Sequence, residues 1–145
     1  MTSQSEHSIL ISPVGELSTE LIEAVASEIK QVFGFATETN PILQDLSFAL
    51  DDNRNQYHST AILDRLAANI PPHTIRVLAI AQVDLFIPIL THVYGEAQLG
   101  GAACIVSTLR LNEGRSGVNI PPKYIDRIVK EAIHELGHTF NLRHC

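Results

Sequence analysis

Residues 121–145 read PPKYIDRIVKEAIHELGHTFNLRHC, and this stretch decides how the chain before it is read. Ile125, Ile128, Val129, Ala132, Ile133, Leu136 and Phe140 recur every three or four positions, which predicts a helix opening at Pro121 and Pro122 with one apolar stripe against a core. His134 and His138 are four apart, so they fall about 40° apart around the axis and about 6 Å apart along it. Both imidazoles can then reach one metal ion, and both lie roughly 160° to 200° from the centre of the stripe, facing out into a cleft. Glu135 sits roughly 100° round from His134, near the ion but not needed as a ligand, and is free to act as a base. For His144 to approach the same ion, the chain must leave the helix after His138 and turn back. Asn141 suits that break because asparagine tolerates positive φ. Three neutral imidazoles leave one coordination position for water, the arrangement of a catalytic zinc ion. A competing reading takes Arg127, Lys130, Glu131, His134 and His138 as one solvated helix face. The full spacing to His144 is too specific for that reading to be preferred.

The residues before this helix supply a sheet for it to rest on. Ser8 to Ser12 is a short β-branched apolar run closed by Pro13 and Gly15, a buried strand. Ser18 can cap a helix whose Leu21, Ile22, Val25, Ile29, Val32 and Phe33 keep helical spacing until Gly34. Phe35 to Thr39 predicts a second strand, ended by Asn40-Pro41. Gln44 to Asn55 reads as a surface loop. Ala61, Ile62, Leu66 and Ala67 mark the inner face of a second helix that stops before Pro71-Pro72. Thr74 to Ala81 is almost continuously apolar and should be the central strand, covered on both faces. Asp84 then caps or braces a loop. His92 to Ala97, weakened by Gly95, and Ala102 to Leu111 follow as strands joined by Gly100-Gly101, and so are antiparallel neighbours. Asn112 to Asn119 is a turn-rich loop. The fold class is therefore α/β, with a five-stranded, mostly parallel twisted sheet, one antiparallel edge strand and about three helices.

The chain has 145 residues, 45% apolar and 18% charged, so it reads as one globular domain spanning 1–145. A net charge of -6 with no basic run argues against nucleic acid as a partner. Met1 to Ser8 is polar and unlike a signal peptide, and no apolar stretch approaches membrane-span length, so neither secretion nor a membrane is expected and the cytoplasm is. The two cysteines, Cys104 in an apolar run and Cys145, make no disulfide framework.

Several stretches resemble the archaemetzincin family of metzincin zinc metalloproteases. H-E-x-x-H-x-x-N-x-x-H-C from His134 to Cys145 resembles the metzincin signature with Asn141 in place of glycine. Arg54-x-Gln56-Tyr57 resembles the family's R-x-Q-Y. Asp84-Leu85-Phe86-x-Pro88 and Val93-Tyr94-Gly95-Glu96-Ala97 resemble its D-[LI]-[FY]-x-P and F-V-[FY]-G-x-A stretches, and Ser107-x-x-Arg110-Leu111 its S-x-x-R-L. The resemblance implies a zincin-like upper subdomain whose antiparallel strand, near His92 to Ala97, borders the cleft and pairs with an extended peptide. It implies one catalytic Zn²⁺ on His134, His138 and His144, with Glu135 as general base. In the family, Cys145 would be the first of four cysteines around a second, structural zinc, with a methionine turn further on. The sequence ends before both, so the second site is not expected. His92 would stand on the cleft-edge strand, although a core or surface role is the plainer reading.

Three readings remain open at this point. One is a zinc-dependent peptidase, and another a truncated or degenerate domain that binds peptide or metal without turnover. The third is an α/β regulatory module whose histidines hold no metal. Zinc content separates the first from the other two. Neither the substrate nor the oligomeric state is legible.

Overall fold

The computed structural model describes residues 7–115 and 117–142. Its main sheet has five strands in the order β2-β1-β5-β8-β7, formed by β1 (Ser8–Val14), β2 (Ala36–Thr39), β5 (Thr74–Ala81), β7 (Gly95–Ala97) and β8 (Ala103–Ser107). All its pairings are parallel except that between β7 and β8, which places the antiparallel strand at one edge and β5 in the middle. The helices are α1 (Thr19–Phe33), α2 (Ser59–Ala67) and α3 (Pro122–Thr139).

Alternation along the central strands divides the core in two. Ile9, Ile11, Leu78, Ile80, Cys104 and Val106 point to the face covered by α1 and α3, where they meet Leu21, Val25, Ile29, Ile128, Ala132 and Leu136. Leu10, Val77, Ala79, Ala81, Ala103 and Ile105 point to the opposite face and meet Ile62, Leu63 and Leu66 of α2. Burial of both faces explains why β5 shows no polar positions between Val77 and Ala81. The helix ends are the expected ones. The Ser18 hydroxyl accepts from the Leu21 N–H at 3.0 Å, and Gly34 closes α1 at φ 79°.

Some elements depart from the sequence reading. β1 runs on through Pro13 to Val14, because β2 ends opposite Ile11 and leaves the proline with a single neighbouring strand. The strand expected over Ala102 to Leu111 stops at Ser107, whose hydroxyl donates to the Val83 carbonyl and accepts from the Leu109 N–H. The strand expected over His92 to Ala97 shrinks to Gly95–Ala97, with one isolated bridge between Val93 and Leu85. The surface loop expected over Gln44 to Asn55 contains a single 3-10 turn (Ser47–Ala49) and β3 (Leu50–Asp51). With β4 (Gln56–His58) and β6 (Leu85–Phe86) it builds a second, three-stranded sheet, and Leu43, Leu46 and Ala49 are buried in the core on the α2 side of the main sheet. Among the described residues no helix is long and apolar enough to cross a membrane.

Asp84 does brace a loop. Arg110 donates to it twice, from Nε to Oδ1 at 2.6 Å and from Nη2 to Oδ2 at 2.9 Å, and Gln56 Nε2 donates to Oδ2 at 2.9 Å. The Arg110 guanidinium, more than the Gln56 amide, holds the Asp84 carboxyl below its ordinary pKa against the opposing effect of burial. A carboxyl depressed in this way contributes stability above its unfolded value of about 3.9, and that contribution is lost as pH falls through the folded value. Asp84→Asn is therefore expected to cost about 1–2 kcal/mol at neutral pH, the lower end reflecting the half-exposed arginine. Urea midpoints of variant and wild type should converge as pH drops from about 4 toward about 2.

Candidate metal centre and active site

Helix α3 carries the candidate centre, and its buried stripe sets which way His134 and His138 face. Tyr124, Ile125, Ile128, Ala132 and Leu136 are buried against the sheet. His134 is thereby left exposed and His138 half-buried. The end of the helix is held from three sides. Arg76 of β5 donates from Nε to the Thr139 hydroxyl at 3.1 Å and from Nη2 to the Thr139 carbonyl at 3.2 Å, a cation set against the negative helix end. The same guanidinium lies 4.2 Å from the centroid of Phe140, which stacks on Phe33 and Phe35. The turn between β7 and β8 adds the third contact, with the Gly100 N–H donating to the His138 carbonyl at 3.2 Å.

The chain then leaves α3 through a Schellman turn. The Leu142 N–H donates to the Gly137 carbonyl at 2.9 Å and the Asn141 N–H to the His138 carbonyl at 3.0 Å. Asn141 takes the left-handed conformation at φ 66°, as its place in the motif requires. Gly100 packs against its side chain, where a Cβ would come within 2.9 Å of Asn141 Oδ1. His144 and Cys145 lie outside the described residues.

The Nε2 atoms of His134 and His138 are 3.1 Å apart. Two nitrogens bound to one tetrahedral zinc at about 2.05 Å each lie about 3.3 Å apart, so the separation of this pair is close to that of two ligands on one ion. Glu135 is buried, only 6% exposed, and lies under the edge strand. Its Cγ and Oε2 sit where a Cβ on Gly95 would be 3.0 Å away. Burial, then a hydrogen bond with Glu131 and the charges of Glu131 and Glu96, pushes its carboxyl up to about 9. In the absence of a cation the group is therefore a protonated acid at neutral pH, and a dication beside it would favour the ionised form.

Glu131 is the residue that the sequence reading placed on the solvated face. It is half-buried, and it offers a carboxylate oxygen within 4.8 Å of ligand atoms on both His134 and Glu135. Its spacing of three and four residues before that pair was the available signal. Glu96 was not singled out either. It projects from β7 to the α2 side, where it accepts from the Ser59 hydroxyl and from Thr60 Oγ1 at 2.9 and 3.0 Å, anchoring the edge strand to the start of α2. His92 packs edge-on to Tyr94 at 5.5 Å between centroids and lines an open groove with Asp84, Arg110 and Glu113.

Known proteins with this arrangement share it over most of the chain. The model of peptidase family M54 matches residues 44–145. An archaemetzincin of Methanocaldococcus jannaschii is 35% identical over 139 residues, covering 94% of this chain and 74% of that protein. The crystal structure of an archaemetzincin from Methanopyrus kandleri superposes with a TM-score of 0.81 at 29% identity, covering 97% of this chain and 77% of that one. A zinc-dependent peptidase from Methanocorpusculum labreanum superposes at 0.76 with 26% identity, over 94% of this chain and 83% of that one. With the H-E-x-x-H helix, the antiparallel edge strand and these relatives in agreement, the chain belongs to the archaemetzincin family, peptidase family M54, and is by that membership a zinc metalloprotease.

Proposed function

We propose that residues 1–145 form a catalytic subdomain that hydrolyses peptide bonds, with one catalytic zinc ion held by His134, His138 and His144 and with Glu135 as general base. The observation that carries this reading is the 3.1 Å approach of the His134 and His138 Nε2 atoms directly beside a buried carboxyl. Zinc bound there supplies an acidified water and a polarised scissile carbonyl. Glu135 accepts the proton of the attacking water and passes it to the leaving amine nitrogen, which needs one carboxyl able to hold a proton between the two events. Burial and the neighbouring Glu131 raise its proton affinity, and a dication beside it lowers it again, so that the carboxyl can both take and release the proton. Arg76 and the Phe140 stack keep the helix end, and with it His138, from fraying.

The substrate is an extended peptide lying along β7. This strand is paired on one side only, to β8, and its other edge offers free backbone donors and acceptors directly above Glu135. The net charge of -6 disfavours nucleic acid as an alternative ligand. A reducing, cytoplasmic setting suits a described chain whose cysteine, Cys104, is a buried free thiol.

The test is zinc content measured with peptide cleavage. Purified protein is expected to hold one zinc per chain, to lose both metal and cleavage to a chelator, and to regain both when zinc is returned. His134→Ala should lower zinc affinity by two orders of magnitude or more, since a single imidazole is far from a chelating pair. Zinc near zero in metal-replete protein, or cleavage that survives His134→Ala, would refute the assignment.

A further inference from the structure

β7 is only three residues long, yet it must present a straight edge over Glu135. Pairing with β8 fixes one side of it. The segment that delivers the chain to it, residues 87–94, has little apolar anchorage before Val93 reaches the core: Ile89 is 86% exposed and Leu90 48%. Side chains from elsewhere hold its backbone instead. Arg54 Nη2 donates to the Leu90 carbonyl at 2.7 Å, and Gln56 Nε2 donates to the Thr91 carbonyl at 2.7 Å. Gln56 is 7% exposed and uses its whole amide, giving its second hydrogen to Asp84 Oδ2 and accepting from Arg54 Nε at 3.0 Å on Oε1. Asp84 is in turn clamped by both arms of Arg110. The Val93 N–H then donates to the Leu85 carbonyl, and the Tyr94 carbonyl accepts from the Ser107 N–H, handing the chain to Gly95.

We propose that Gln56 is a positioning residue for the peptidase reaction, supported by Arg54, Asp84 and Arg110, and that it acts by fixing residues 87–94 and so the substrate-pairing edge of β7. The inference rests on the reading of β7 as that edge. A loose segment would have to be ordered by each peptide as it bound, which weakens ground state and transition state alike. Loss of such uniform binding raises KM and leaves kcat alone. The backbone groups these four side chains hold, the Leu90 and Thr91 carbonyls, lie a few residues ahead of β7, so the free edge is the part of the candidate site that they support.

Two variants test this in the zinc-loaded full chain. Gln56→Leu keeps the volume and removes every hydrogen bond. Arg54→Lys keeps the charge and removes the fork that spans Gln56 and Leu90, and it decides the matter if Gln56→Leu does not fold. With an internally quenched decapeptide that the wild type cleaves, both are expected to raise KM about tenfold, with kcat within about twofold of wild type. Amide hydrogen exchange in the metal-free protein should accelerate about tenfold or more over residues 88–97 and stay unchanged in β5 and α3. Unchanged exchange over 88–97 overturns the proposal, as does faster exchange with unaltered KM, or a fall in kcat that accounts for the whole effect. Absence of zinc and of cleavage in the wild type would strike the peptidase reading instead, and the exchange measurement would still decide whether Gln56 orders the edge.

Discussion

Glu135→Gln is expected to lower kcat for peptide cleavage by about 10³-fold while the protein still binds zinc. Glutamine has the shape of the protonated acid and can keep a hydrogen bond to Glu131, but it cannot take a proton from water. The loss should fall on kcat and on kcat/KM together, because the missing proton transfer belongs to the transition state alone. Stability supplies the control. The folded carboxyl is pushed up to about 9, against about 4.3 in an unfolded chain. In metal-free protein the stability this group contributes is full below about 4.3 and drains away as pH climbs toward about 9, because the unfolded chain releases the proton first. Glutamine carries no proton to release. Metal-free Glu135→Gln should therefore melt higher than metal-free wild type at pH 7.5, with the two converging near pH 4. A variant that is inactive because it is misfolded would melt lower at both. Cleavage within tenfold of wild type would remove Glu135 from the proton transfer.

The parts of this architecture that repeat were legible in the sequence. β5 is apolar at every position from Val77 to Ala81 because both faces are covered, and α1 and α3 carry stripes long enough for their periods to be counted. The left-handed turn at Asn141 was readable from residue type and from the spacing to His144. The small second sheet was not. Its strands have two or three residues, fewer than a period needs, and β4 pairs in parallel with β6 across a sequence gap that local patterns do not cross. The same holds for Glu131 and Glu96, polar residues whose meaning depends on what stands opposite them, and for the partners of Gln56, which the resemblance marks without saying what it binds. That its amide donates to both Asp84 and Thr91, 28 and 35 residues further on, is not written in the local sequence.

Gly95→Ala should harm the enzyme far more than a single methyl suggests, and Gly137 of α3 gives the contrast. A Cβ at Gly95 would stand 2.6 Å from the Ile105 carbonyl oxygen and 3.0 Å from both Cγ and Oε2 of Glu135. The first neighbour is the backbone of β8 and cannot swing aside, so β7 must move away from β8, or twist, by several tenths of an ångström. The second is the proposed base, and displacing it disturbs the one geometry that proton transfer needs. Overpacking of this kind costs about 1–3 kcal/mol. The chemical penalty is larger, since an error near 1 Å at a reacting group is worth about a hundredfold. The expected result is a kcat/KM lowered by 50-fold or more, about 2 orders of magnitude at the centre of the range, in a protein that remains folded and zinc-bound. Gly137 lies on the buried side of α3, and among the described residues a Cβ there would touch only Leu142, at 3.7 Å, an ordinary van der Waals contact. Gly137→Ala should accordingly be neutral or raise stability by about 0.5–1 kcal/mol, the usual gain on replacing a glycine within a helix. Melting curves and peptide cleavage measured on the two variants side by side check the pair. Full activity in Gly95→Ala would mean that β7 does not lean on Glu135, and the edge would lose its claim to place a substrate above that carboxyl.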